Sequence, residues 1–308
     1  MLLYLNFDLS HTCSVTDKEF LNNTIAGEKK HQEPFHMITL LKKAYESYSH
    51  AKAQRMSSFC ACQIAKEHYA MDNLEEAKRH FDNVASLYRR EGWITLLWEV
   101  LSYLRDLSRK HGIVKDYLEY SLEMAALPIS FDVHMLSLRS KDCCPVNPAT
   151  LDNREKIHNE IFNLVDEESV LASVEHGKEL KVTGDNPVHL EIDLVSPLRL
   201  VLLASVAFHE QVIKPGVPTL ITVSLLSHLP LTIELDQLEV HFNQSECNFI
   251  VVNAERLPSA AMASDQDGHR VEQAPSLALS SNKWLRMTYQ IKSGNLVFSH
   301  AFLEFWYI

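Results

Sequence analysis

Near residue 186 the apolar residues of this chain change their spacing from three and four to two, and that switch limits the fold more than any other feature. Spacings of three and four put one stripe on a helix, whereas strict alternation puts one face on a strand. A chain that uses each pattern over a separate stretch folds into helices first and strands second, with a core for each. At 308 residues it has room for two such domains.

The helical pattern is sharpest from Ser57 to Gly92, read as two antiparallel helices joined by a turn at Met71-Asp72-Asn73. Ala61, Ile64, Ala65 and His68 share one face, and Leu74, Ala77, Phe81 and Val84 share another. Small residues allow close approach, and Phe81 fills the space they leave. Asn73 followed by Glu76 has capping-box spacing, and Gly92 stands where a left-handed cap is wanted. Ala65, Leu74, Ala77 and Phe81 resemble the signature of a tetratricopeptide hairpin. Leu41, Ala44, Tyr48 and Ala51 repeat the series of Leu74, Ala77, Phe81 and Val84 at an offset of 33, close to the ~34 residues of that unit, which points to an α-solenoid.

Helices are therefore expected over Phe35 to Lys52, Ser57 to Ala70, Leu74 to Glu91, Trp93 to Lys110, Val114 to Leu127 and Asn153 to Val165, the last capped by Asp152 and Glu155. Alternation at Val188 to Leu194, Ile221 to Leu225, Leu231 to Leu235, Leu238 to Phe242 and Leu285 to Ile291 predicts strands. No helical stretch separates them, which favours an antiparallel, immunoglobulin-like β-sandwich. Turns are expected at Lys214-Pro215-Gly216 and Ser293-Gly294-Asn295, the second folding Leu296 to Ile308 back on Trp284 to Ile291. Residues 253 to 280 read as a surface loop. The organisation is a weakly patterned segment 1–33, a tetratricopeptide-like α-solenoid 34–170, a linker 171–185 and a sandwich 186–308. Leu296 to Ile308 is apolar on both faces apart from Glu304, so it needs cover on both sides, and a sandwich left incomplete at Ile308 would be prone to associate.

Composition narrows the chemistry. The balance of 29 basic and 40 acidic residues gives a net charge of −11, with no basic surplus for phosphate backbones, so no nucleic-acid partner is expected. The apolar runs, such as Met1 to Leu5 and Leu200 to Ala204, fall far short of the roughly 20 residues a membrane helix needs. Six cysteines, Cys13, Cys60, Cys62, Cys143, Cys144 and Cys247, are too irregular for a disulfide scaffold or a zinc site and read as packing thiols of a reduced, cytosolic chain. The sequons at Asn22 and Asn243 would then stay unmodified.

With eight glycines the chain has no Gly-rich phosphate loop, and it lacks a His-Glu-x-x-His pair and a Gly-x-Ser-x-Gly elbow. The sixteen histidines show no metal-ligand spacing with carboxylates, and His68 reads as a core residue. No catalytic residue, cofactor, metal or small-molecule substrate is expected. The distinctive polar stretch is Tyr88-Arg89-Arg90-Glu91-Gly92-Trp93. Tyr88, Arg89, Arg90 and Trp93 could bind an acidic partner or a phospholipid head group. Alternatively the arginines complement the helix end while the rings pack between hairpins.

Ile38 to Tyr48, Arg55-Met56, Glu67-His68-Tyr69, Leu74 to Ala77, Tyr88 to Trp93, Val114-Lys115-Asp116-Tyr117 and Ser121-Leu122-Glu123 together resemble the foie gras domain family. Pro215-Gly216-Val217-Pro218 followed by Ile221 to Leu225 is similar to the immunoglobulin-like region that follows in that family. The resemblance implies a non-enzymatic scaffold in the TRAPP vesicle-tethering complex, acting in endoplasmic reticulum to Golgi and intra-Golgi transport. Its partners would be other subunits, with an indirect link to Rab GTPases and Golgi membranes, since nucleotide exchange belongs to small core subunits. The location implied is cytoplasmic, peripheral at Golgi or intermediate membranes. Family members are several times longer, so this chain is expected to correspond to a middle section. The other interaction class that fits a solenoid and a sandwich is a cargo or coat adaptor gripping short sorting peptides.

Overall fold

The structure is a computed structural model that describes residues 34–128, 149–165, 171–172, 179–180, 190, 196–210, 217–242, 247–255, 270–292 and 301–306. The chain divides into two compact units, Met1–Val84 and Ala85–Ile308. The helices are α1 (Pro34–His50), α2 (Gln54–Ala70), α3 (Leu74–Glu91), α4 (Ile94–His111), α5 (Val114–Ala126) and α6 (Leu151–Val165). No described helix is long and apolar enough to cross a membrane.

The first five helices begin at residues 34, 54, 74, 94 and 114, one every 20 residues. The turns set this pitch. Lys52, Asp72, Gly92 and Gly112 all take left-handed φ values, of 55°, 59°, 71° and 73°. The N–H that follows each reaches back to a carbonyl five residues earlier: Ala53 to Tyr48, Asn73 to His68, Trp93 to Tyr88 and Ile113 to Ser108, at 2.9–3.0 Å. The carbonyl of each of these same residues then accepts the first bond of the next helix, from Ser57, Ala77, Leu97 and Tyr117. One residue thus closes a helix with its N–H and opens the next with its C=O. Ala53, Trp93 and Ile113 do this with no side-chain cap.

The 33-residue offset is therefore not the register of the helices. It pairs Leu41, in the middle of α1, with Leu74, the first residue of α3, and leaves Ala51 beyond the end of α1. The hairpin repeat is 40 residues, and apolar spacings of three and four match at more than one offset. The stripes themselves are as expected: Ala61, Ile64, Ala65, Ala77, Phe81, Val84, Leu97, Leu101, Leu104 and Leu107 are all buried. On α6, Ile157, Ile161 and Leu164 are buried too, but the cap is Thr150, whose Oγ1 accepts from Asn153 N–H at 3.2 Å. Asp152 lies inside the first turn.

In the second unit, β1 (Leu171–Ala172) pairs with β2 (Glu179–Leu180). A 3-10 turn at Pro197–Leu200 leads into β3 (Leu202–Phe208). The remaining strands are β4 (Pro218–Ser227), β5 (Ile233–Glu234), β6 (Gln237–Phe242), β7 (Phe249–Asn253), β8 (Arg270–Ala274), β9 (Ala278–Leu279), β10 (Trp284–Lys292) and β11 (Ala301–Trp306). One sheet has the order β10-β4-β3 and another β11-β6-β7-β8. A single apolar cluster takes Ile221, Val223, Leu225 and Ile291 from the first sheet and Leu238, Val240, Phe242, Phe249 and Val251 from the second. Alternation along β4, β6 and β10 places these side chains, as the period of two requires.

Three expectations are corrected. β11 does not fold back on β10. It pairs antiparallel with β6, Leu303 opposite Val240, while β10 pairs with β4, Met287 opposite Val223. Residues 253 to 280 are not all loop, for β8 and β9 lie there. β8 runs parallel to β7, Val251 opposite Glu272; a parallel neighbour needs a connection of about a dozen residues or more, and the sequence between the two strands has that length. Finally, the alternation at Leu231 to Leu235 yields only the two residues of β5, paired with β9. The turns at 214–216 and 293–295, the alternation over 188–194 apart from Leu190, and the sequons lie outside the described residues. So do Cys13, Cys143 and Cys144, whereas Cys60, Cys62 and Cys247 are buried and not in disulfides.

Candidate functional site

The segment from Tyr88 to Trp93 closes α3 and opens α4, and its four singled-out side chains part company. Tyr88 is 4% exposed, and its ring lies 5.5 Å from that of Trp93, tilted by 48°. Arg89 donates from Nε and Nη2 to both carboxylate oxygens of Glu123 on α5, at 2.6 and 2.7 Å. Glu123 is buried, and burial raises its carboxyl pKa while the Arg89 bonds oppose the rise. Of the four, Arg90 alone is exposed, its Nε 3.4 Å from Glu91 Oε1, while Arg89 and Trp93 are half-buried. The two adjacent arginines are therefore not equivalent: one joins two helices and the other is a surface charge.

Ala65, Ala77 and Phe81 are fully enclosed, and Leu74 is half-buried at the start of α3. Two further arginines, not singled out from the sequence, order the second unit. Arg105 on α4 donates from Nε to Ser121 Oγ at 2.8 Å and from Nη2 to Tyr117 Oη at 2.7 Å, lies over the Tyr117 ring, and pairs with Glu160 on α6. Arg154 on α6 is 5% exposed. Its Nε donates to the Ala125 carbonyl at 2.6 Å, and its Nη2 to the His228 carbonyl just after β4 at 2.8 Å. One buried guanidinium thus ties α5, α6 and the strands together. Its sequence signal is an arginine on the same stripe as Ile157, Ile161 and Leu164.

In the first unit the α2–α3 hairpin gathers His68, Glu76 and His80, with one ligand atom of each within 4.8 Å of the others. The expectation that histidines and carboxylates form no close cluster is corrected here. Glu76 and His80 are four apart on α3 and share a face, and the turn at Asp72 returns His68 to that face. Half of the signal, the Glu-x-x-x-His spacing, was in the sequence, but the hairpin supplies the third residue.

Residues 5–127 match the family described as "Foie gras liver health family 1". Over this segment the chain is similar to the foie gras family. The described part of the foie gras segment comprises α1 to α5 and the turns between them. Similarity reaches beyond it: the chain is 27% identical over 276 residues to "Trafficking protein particle complex subunit 11" of Bos taurus, covering 85% of this chain and 22% of that protein. With the protein of the same name from Homo sapiens it is 26% identical over 259 residues, 79% of this chain and 21% of that one. With that from Gallus gallus it is 33% identical over 123 residues, 39% and 10% respectively. The chain thus spans about a fifth of the length of the first two relatives it matches.

Proposed function

We propose that this chain is an interaction segment of a multisubunit vesicle-tethering complex, a scaffold without catalysis of its own. The observation that carries the reading is the similarity over 85% of the chain to a protein named as a trafficking particle subunit, running from the foie gras helices into the strands. In this reading the 40-residue hairpins are an α-solenoid over 34–170 and the two sheets an immunoglobulin-like sandwich over 186–308, joined by the linker 171–185. Its partners are other subunits of the complex, its links to Rab GTPases and Golgi membranes run through them, and it works in the cytoplasm in endoplasmic reticulum to Golgi and intra-Golgi transport.

Surface chemistry supports protein contacts. Phe35, Leu40, Tyr45, Met56 and Phe59 on α1 and α2 are each more than 40% exposed. Large apolar side chains left exposed on two neighbouring helices suit burial against a partner. Arg90, with Trp93 beside it, is a second contact point. Tyr88 and Arg89 support it from within.

The test is binding of the immobilised chain to purified trafficking-complex subunits, in the presence and absence of short sorting peptides. A tether segment holds one or more subunits at a fixed ratio, peptides do not displace them, and Phe59→Glu abolishes capture while circular dichroism stays unchanged. Capture of peptides in place of subunits would instead assign the chain to the cargo or coat adaptors.

A further inference from the structure

The α2–α3 hairpin holds a second feature that the assembly role does not use. His68 is 8% exposed, and its Nε2 and that of His80 are buried with no hydrogen-bond partner. The two rings stack nearly parallel, 7° apart with centroids at 5.9 Å. Buried polar atoms that lack partners cost stability, so two such nitrogens side by side call for a common ligand. The Glu76 carboxylate completes the group, with Oε2 4.0 Å from His80 Nε2. We propose that His68, Glu76 and His80 form a binding site for a borderline divalent transition-metal ion, zinc being the type, with the fourth position open to water.

The donor set suits such an ion. Two imidazoles and one carboxylate are one of the ligand sets that zinc takes in its three-residue sites. Burial lowers the pKa of both histidines, as do Lys42 and Arg79 nearby, while Glu76 opposes the change; the shift favours the neutral ring, which offers a lone pair. Glu76 is held ionised by its hydrogen bond from Arg79, 2.5 Å from Nη2 to Oε2. Oε2 carries both the Arg79 bond and the approach to His80, so metal would meet this carboxylate with Arg79 already in place as its outer partner. At His68 the Asn73 carboxamide lies against Nδ1, with Nδ2 at 3.4 Å. A half-turn of the amide presents its oxygen to Nδ1–H and leaves the Nε2 lone pair for the metal. Ligand atoms around a tetrahedral zinc stand roughly 3.4 Å apart, given bonds of about 2.1 Å. Atoms now within 4.8 Å must therefore draw together by tilting the two rings, a side-chain movement. Lys42 and Arg79 oppose a second cation, so affinity depends on Glu76.

The experiment strips the 308-residue chain with chelator and titrates it with zinc, then with cobalt for its spectrum. The expected result is one zinc per chain and a rise in melting temperature on loading. Cobalt should give tetrahedral visible bands without the thiolate charge-transfer absorption that cysteine ligands produce. Glu76→Gln, at a half-exposed position that leaves the helix intact, should weaken zinc at least tenfold, and His68→Gln with His80→Gln should abolish the site. Zinc bound equally by these variants, a thiolate band, or no stoichiometric binding by the parent chain would each overturn the proposal.

Discussion

Arg89 and Arg90 show how little adjacency in sequence says about role. Removing Arg90 should change stability by a few tenths of a kcal/mol, since an exposed charge at a helix end contributes little. Arg89→Ala leaves the Glu123 carboxylate buried without its partner, and a loss of about 2–4 kcal/mol is expected, largely recovered when Glu123→Leu accompanies Arg89→Met. Urea unfolding of the three variants beside the parent measures both. His158 gives a pH test. It is 4% exposed and stacked on Phe162 at 4.3 Å, and burial lowers its pKa from 6.5 to about 4. Because the unfolded chain takes up this proton near pH 6.5 and the folded chain only near pH 4, stability falls as pH drops through that window. His68 and His80, also lowered, add to the same trend. The melting temperature of His158→Leu should therefore gain on the parent between pH 7 and 5, and a constant difference would contradict the assignment. At this scale burial was legible where it followed a stripe, as for Ala77 and Phe81. It was not legible for Arg89 and Arg105, because each is drawn inward by a partner on another element, whereas Arg154 lies on the α6 stripe and only its partners were hidden.

At the scale of elements, the left-handed turn fixes the 20-residue pitch. Gly92 and Gly112 meet it without strain, whereas Lys52 and Asp72 carry a Cβ at φ values of 55° and 59°. Lys52→Gly should relieve about 1–2 kcal/mol of steric cost and lose about 0.5–1 to chain entropy, for a net gain near 0.5 kcal/mol. Thermal unfolding of Lys52→Gly beside an exposed control such as Lys43→Gly, which should lose stability inside α1, checks this directly. Helices were readable because stripes of three and four persist over 13 to 18 residues. Strand existence at β4, β6 and β10 was equally plain from alternation. Pairing was not, since alternation alone allows β11 to meet β10 or β6, and the register with β6 is a matter of tertiary structure. β8 escaped notice because it lies at a sheet edge, with exposed Val271 and Arg270 blurring its alternation.

At the scale of the molecule, the family resemblance was readable from separate motifs in order, and residues 5–127 bear it out. The proposed contact surface was not, because exposure of Phe35 or Phe59 depends on which side of α1 and α2 meets the rest of its unit, and periodicity alone leaves that open. The central claim is that this chain works as a part of an assembly. Its native mass, measured by light scattering on chain purified from cell extract without denaturant, tests that claim most directly. The account predicts one species far heavier than a single chain, with trafficking-complex subunits at a constant ratio across the peak and none with Phe59→Glu. A peak at the mass of one chain, with no subunit co-eluting from the parent sequence, would contradict it.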